Sequence, residues 1–97
     1  MQSFPHAAEY RHFLEELRAA RDVAGMTQAA LASALSVHQT LISKGELGTR
    51  RVDVVELRVW LRALGLSLPE FVGRLEARLD RHGRVPPVGQ ARAARRR

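Results

Sequence analysis

Apolar side chains recur at intervals of three and four residues over most of this chain, which places them on one side of an α-helix. The first such stretch runs through Tyr10, Phe13, Leu14 and Leu17, with charged residues between them. Comparable stripes follow in four later segments, and the sequence has no strand-length run of β-branched residues. The pattern predicts an all-α fold of five helices.

Start and stop signals divide the first half of the chain into three helices. The first helix should begin after Pro5 and end before Gly25. Thr27 is placed as the N-cap of a short alanine-rich helix, "QAALASAL". A third short helix, "HQTLISKGEL", should end at Gly48, because glycine readily adopts the left-handed conformation that closes helices.

Two capping boxes, each a cap residue followed three positions later by glutamate, start the last two helices. They pair Asp53 with Glu56 and Ser67 with Glu70. The fifth helix should run to about Arg81. We therefore expect residues 1–82 to form one compact domain.

The net charge of +6 comes mostly from the end of the chain. Residues 83–97 hold five of the sixteen basic residues and no acid, which leaves eleven basic against ten acidic residues elsewhere. This segment also has a Pro-Pro pair and few apolar side chains, so we expect a basic, disordered tail. The charge is therefore weak evidence about what the folded part binds.

Several classes of protein are excluded by composition. The chain has no cysteine, so disulfides, thiolate catalysis and zinc–thiolate sites are ruled out. No apolar run reaches the length of about 18 residues that a membrane span requires. The N-terminal residues do not have the pattern of a signal peptide. A cytoplasmic, nucleoid-associated protein without membrane contact is the expectation.

The segment "TQAALASALSVHQTLISK" resembles the helix-turn-helix of phage-repressor and Cro-type proteins, known as the XRE family. The resemblance continues through "GELGTRRVDVVELRVWLRALGLSL" and covers roughly Tyr10 to Val72. It implies a compact five-helix bundle of the lambda-repressor-like type, with the helix-turn-helix at helices 2 and 3. It also implies binding to double-stranded DNA, with the third helix in the major groove.

The resemblance carries a set of DNA-contacting residues onto this chain. We expect Gln39 to pair with an adenine, and Gln28, at a helix N-terminus, to contact a phosphate. The alternative for all of them is an ordinary solvated helix face. The expected DNA-binding residues are Gln28, His38, Gln39, Thr40, Ser43, Lys44, Thr49, Arg50 and Arg51.

In the XRE family an arginine late in the first helix pairs with a glutamate near the end of the third helix. Arg21 and Glu46 occupy these places, so the resemblance implies a structural clamp on the recognition helix. The alternative is a solvated Arg21, or one paired near Asp22.

Two residues depart from the family pattern. Ser36 stands at a turn position that is commonly glycine, which it fits only if its backbone avoids strain. Gly45 stands where a bulky apolar residue is usual. Three explanations are open: Trp60 fills the space, the third helix ends early at Lys44, or the site is a partly open pocket. Compensation by neighbours is the preferred interpretation.

The leading functional hypothesis is a sequence-specific transcriptional regulator, a repressor, that binds a pseudo-palindromic operator as a homodimer. Phe71, Leu75 and Leu79, with the N-terminal arm around Phe4, are candidate dimer surfaces; the alternative is that they complete the monomer core. A second hypothesis is an antitoxin or other interaction module whose tail binds a partner protein.

An enzyme is not expected. The four histidines do not have metal-ligand spacing, and a glycine-rich phosphate loop is not found. The sequence therefore predicts no cofactor and no metal.

Overall fold

Five α-helices make up the described part of the chain. The structure, a computed structural model, describes residues 6–82, so the predicted tail and the arm around Phe4 lie outside it. The predicted all-α bundle is confirmed within this range. The helices are α1 (Ala7–Val23), α2 (Gln28–Leu35), α3 (Gln39–Leu47), α4 (Val54–Leu64) and α5 (Leu68–His82).

The helices enclose one core in which Trp60 and Phe71 are the largest fully buried side chains. Helix α1 packs against α3, α4 and α5, while α2 packs against α3 and α4. Phe71 is 0% exposed, so it belongs to the monomer core and offers no surface for a dimer. Leu75 and Leu79 are half-buried and line a shallow groove that also includes Tyr10.

Helix ends follow the predicted caps with one difference. Thr27 Oγ1 accepts a hydrogen bond from the Ala30 amide at 2.9 Å, and Asp53 Oδ1 accepts one from the Glu56 amide at 2.8 Å. A full capping box would also return the Glu56 carboxylate to the cap residue. Here that carboxylate binds Arg50 instead, at 2.6 Å. Arg50, which lies outside the helix, therefore takes the place of the cap residue as the partner of the Glu56 carboxylate.

The first and last helices are joined by charge as well as by packing. Arg78 Nε donates to Glu16 Oε1 at 2.9 Å, and Arg78 Nη1 donates to Glu15 Oε1 at 3.0 Å. The two carboxylates are adjacent in α1, and one guanidinium on α5 bridges both.

None of the helices in residues 6–82 is both long enough and apolar enough to cross a membrane.

Ser36 enters the left-handed region, with φ 59° and ψ 45°. The sequence predicts that a serine fits here only if its backbone avoids strain, and the left-handed conformation does not meet that condition. The amide of the next residue, Val37, donates to the Ala32 carbonyl at 3.0 Å, which closes the end of α2. A non-glycine residue in this conformation costs roughly 1–2 kcal/mol. The turn between α2 and α3 therefore keeps its geometry without the usual glycine.

Gly45 is buried beneath the indole ring of Trp60. A Cβ atom added at Gly45 would lie 3.0 Å from Trp60 Cη2 and 3.3 Å from Val52 Cγ2. Trp60 itself is only 1% exposed. Helix α3 continues past this point to Leu47, so an early helix end at Lys44 is wrong. The interpretation that Trp60 fills the space is confirmed, and an open pocket is excluded at this position.

The packing at Gly45 predicts that Gly45→Tyr lowers the melting temperature. The new ring would meet Trp60 and Val52 at once, and overpacking a core costs about 1–3 kcal/mol or more. Thermal unfolding followed by circular dichroism measures the effect. Gly73→Tyr is the matched control, because Gly73 lies in α5 and an added Cβ there meets nothing within 4 Å. A melting temperature raised by Gly45→Tyr would contradict the packing described.

Candidate nucleic-acid interface

Helix α3 is buried on one face and exposed on the other. Ile42 and Gly45 point into the core, while Gln39, Thr40 and Lys44 are exposed. Ser43 is half-buried beside them. We call these four polar side chains, Gln39, Thr40, Ser43 and Lys44, the polar face of α3. The structure thus brings four of the predicted DNA-binding residues together on one short helix.

His38 lies just before α3, at its N-cap position, with φ −70° and ψ 144°. Its side chain makes no capping hydrogen bond. The predicted helix therefore begins one residue later, at Gln39. His38 is exposed and adjacent to the polar face, so it stays within reach of the same surface.

A two-point ion pair holds the C-terminal half of α3. Arg21 Nε donates to Glu46 Oε2 at 2.6 Å, and Arg21 Nη2 donates to Glu46 Oε1 at 3.0 Å. The side chains are 9% and 5% exposed. Arg21 Nη1 also donates to the Met26 carbonyl at 2.9 Å. The geometry is that of the predicted clamp, and it also fixes the segment leading into α2.

The environment of Glu46 stabilises its charged form. Burial alone would raise the pKa of Glu46, but hydrogen bonds from Arg21 and Gln28 outweigh it. The pKa of Glu46 therefore lies below its ordinary value of 4.5. The hydrogen bond to Glu46 raises the pKa of Arg21 in turn. Both partners are thus charged at neutral pH.

Gln28 connects the clamp to the polar face. Its Nε2 donates to Glu46 Oε1 at 2.9 Å, and its Oε1 accepts from Ser43 Oγ at 2.7 Å. Gln39 Nε2 lies 3.5 Å from the same Gln28 oxygen. A glutamine amide has two N–H donors, so one remains available for a phosphate. Gln28 therefore organises its neighbours, a role that its position in the sequence did not reveal.

The two arginines of the loop after α3 make different contacts. Arg50 donates to both carboxylate oxygens of Glu56, at 3.1 and 2.6 Å, and this bond raises the pKa of Arg50. Arg51 is exposed, with its guanidinium carbon 4.4 Å from the ring centroid of Tyr10. Thr49 Oγ1 donates to the Lys44 carbonyl at 3.3 Å. The guanidinium of Arg50 is thus held by Glu56, and that of Arg51 lies over Tyr10 at the surface.

Tyr10 is a positioning residue that the sequence pattern assigned only to the core. Its hydroxyl accepts a hydrogen bond from the Val52 amide at 3.1 Å, which ties the loop to α1. The same ring lies beneath Arg51. In the sequence, the only indication of this role was a tyrosine at an apolar position of an amphipathic helix.

Within residues 6–82, the structure contains no group of three His, Asp or Glu side chains that could hold a metal ion.

Comparisons with known proteins agree with this geometry. A family model described as a helix-turn-helix domain matches residues 12–72. The solved structure of an XRE-family like protein from Pseudomonas syringae pv. tomato str. DC3000 is similar, with a TM-score of 0.71 and 38% sequence identity. The similarity covers 75% of this chain and 89% of that chain. This chain belongs to the XRE family.

Membership of the XRE family makes the protein a helix-turn-helix, DNA-binding regulator in general terms. No protein of curated function matches the chain. The helix-turn-helix of this XRE protein consists of α2, the turn at Ser36 and α3.

The clamp predicts a stability difference that depends on pH. Because the folded-state pKa of Glu46 is lowered, its charge stabilises the protein fully above pH 4.5. That stabilisation is lost as the pH falls through the lower folded-state value. Glu46→Gln should therefore cost about 1.5–3 kcal/mol at pH 7, where it removes charged hydrogen bonds. In strongly acidic solution, the difference from wild type should shrink.

Urea unfolding at pH 7 and at acidic pH measures both parts of this prediction. Glu76→Gln is the matched control, because Glu76 is exposed on α5 and the same charge is removed. Its cost should stay within about 0.5 kcal/mol at pH 7. A Glu46→Gln difference that does not change with pH would show that the Glu46 charge does not stabilise the clamp.

Proposed function

We propose that this protein is a transcriptional repressor that binds a pseudo-palindromic DNA operator as a homodimer, with α3 in the major groove. The observation that carries the proposal is the polar face of α3, held at a fixed angle by the Arg21–Glu46 pair. A major groove about 12 Å wide admits one α-helix, whose N-terminal residues then meet base edges. The polar face supplies donors and acceptors for that contact.

Gln39 is the residue best placed to select a base. One of its amide N–H groups faces Gln28 Oε1 at 3.5 Å, which leaves Gln39 Oε1 and the other N–H toward solvent. Adenine presents an N6–H donor beside the N7 acceptor in the major groove. The outward pair on Gln39 complements these two groups. We therefore assign adenine recognition to Gln39.

The positive charges near α3 serve a different purpose. Lys44 is exposed on the polar face, and Arg51 is exposed in the following loop. Each can neutralise a phosphate, which adds affinity without selecting a sequence. Arg50 is bound to Glu56 and contributes to DNA binding mainly by shaping this loop. Lys44 and Arg51 are accordingly the proposed phosphate contacts.

Dimerisation is proposed because a single nine-residue recognition helix contacts only a short half-site. Leu75 and Leu79 stay candidates for the interface, since both are half-buried along one groove. The alternative of a protein partner bound through the tail concerns residues 83–97. It stays a prediction, because those residues lie outside the described range.

Selection of bound DNA from a random pool tests the proposed DNA-binding function. The enriched site should contain adenine at the position that Gln39 reads. Gln39→Ala should weaken binding to this site by about 1–3 kcal/mol and relax the adenine preference. Lys44→Ala should weaken binding to all DNA sequences about equally. It should also reduce the slope of log affinity against log salt concentration by about one.

Arg74→Ala is the control for these two variants. It removes one exposed positive charge from α5, which makes no contact with α3 in the described structure. Its DNA affinity should stay close to that of wild type. If a folded sample at low salt enriches no sequence, the proposed function is wrong.

The dimer model predicts two protein chains on each full operator. Sedimentation equilibrium of the protein–DNA complex gives this ratio directly. An isolated half-site should bind far more weakly than the full site, because the second chain and its contacts are lost. A single chain bound to the enriched site with full affinity would contradict the palindromic dimer.

A further inference from the structure

Leu47 is an exposed apolar side chain on the same side of α3 as the polar face. It is 75% exposed, although it belongs to α3 and precedes its closing residue Gly48. Residues three, four and seven positions apart lie on one side of an α-helix. Leu47 therefore lies on the same side as Lys44, Ser43 and Thr40. A non-polar group thus lies beside the polar side chains that, in the proposed function, face DNA.

The fold of the monomer does not account for a leucine at this position. Ile42 and Gly45 face the core from the opposite side of α3. A single exposed apolar residue is common on protein surfaces, so exposure alone assigns no role. Leu47 differs from other exposed apolar residues in its location. Among the described residues, it is the large exposed apolar side chain that lies on α3.

The direction of the side chain supports a role in the groove. Long side chains in helices lean toward the helix N-terminus and cover the preceding turn. For Leu47 the preceding turn carries Ser43 and Lys44, which belong to the polar face. The leucine methyl groups therefore extend toward the residues of α3 that are proposed to face DNA.

We propose that Leu47 contacts the C5 methyl group of a thymine in the operator and thereby selects thymine at one position of each half-site. The inference rests on the proposed DNA-binding function. Thymine is the base that presents a methyl group in the major groove, and apolar side chains recognise it by contact. Cytosine at that position presents an amino donor, which leucine would desolvate without a hydrogen bond.

The helix geometry places this thymine relative to the other contacts. Leu47 follows Thr40 by seven residues, which is roughly 10 Å along the helix at 1.5 Å per residue. Base pairs are stacked about 3.4 Å apart. The thymine read by Leu47 should therefore lie within about three base pairs of the base nearest Thr40.

The test replaces each thymine of the enriched site by uracil, which differs from thymine only in lacking the methyl group. Binding of each DNA is measured by fluorescence anisotropy with wild type and with Leu47→Ala. Wild type should lose about fourfold in affinity at one thymine per half-site, the effect of one buried methyl group. Leu47→Ala should bind the thymine and uracil forms of that site about equally.

Two control variants make the assignment specific. Val23→Ala removes an apolar side chain that is 80% exposed at the end of α1, so its response to uracil should equal that of wild type. Thr40→Ser removes a methyl group from the polar face and identifies any thymine that Thr40 contacts instead. Alanine favours helices and Leu47 is exposed, so Leu47→Ala should remain folded; circular dichroism checks this.

The outcomes separate this inference from the proposed function. If the random pool enriches no sequence, the DNA-binding function itself fails, and the Leu47 contact with it. If a sequence is enriched but thymine-to-uracil changes affect wild type and Leu47→Ala equally, the function stands and the Leu47 contact is overturned. An enriched half-site without any thymine, or a methyl response lost only in Thr40→Ser, also overturns it.

Discussion

The ion pair between Arg21 and Glu46 is the contact on which the geometry of the recognition helix depends. Helix α3 has nine residues, and an isolated helix of that length is marginal in water. One guanidinium binds both oxygens of Glu46 and also the Met26 carbonyl ahead of α2. Arg21 thus joins α1, the segment before α2 and the end of α3. Through Gln28, the same carboxylate is connected to the polar face.

The core beneath α3 is filled by a large side chain from α4. The family pattern expects a large side chain at position 45, whereas here the bulk is supplied from α4 by Trp60. Filling the same space from the other side leaves the core closed, with Trp60 only 1% exposed. A glycine inside a helix still costs about 1 kcal/mol relative to alanine. The close approach of the indole ring is what requires it.

Helix limits were predictable because periodicity and caps are local signals, as Thr27 and Asp53 show. The Arg21–Glu46 pair was predictable only through the family resemblance, since its partners are 25 residues apart. The Glu56–Arg50 bond was not predicted, because a capping pattern cannot reveal a competing charge in three dimensions. The exposure of Leu47 was not predictable from the sequence, because it depends on which side of α3 faces solvent in the fold. The DNA contacts themselves remain predictions.

The bridge from Arg78 to Glu15 and Glu16 connects the first and last helices of the described fold. It joins residues 62 and 63 positions apart, whereas α2 and α3 are neighbours in sequence. Closing a long loop costs more chain entropy than closing a short one. The contact between α1 and α5 therefore costs more chain entropy to form than the packing of α2 against α3. One guanidinium on α5 thus helps to hold in place α1, the helix that also carries Arg21.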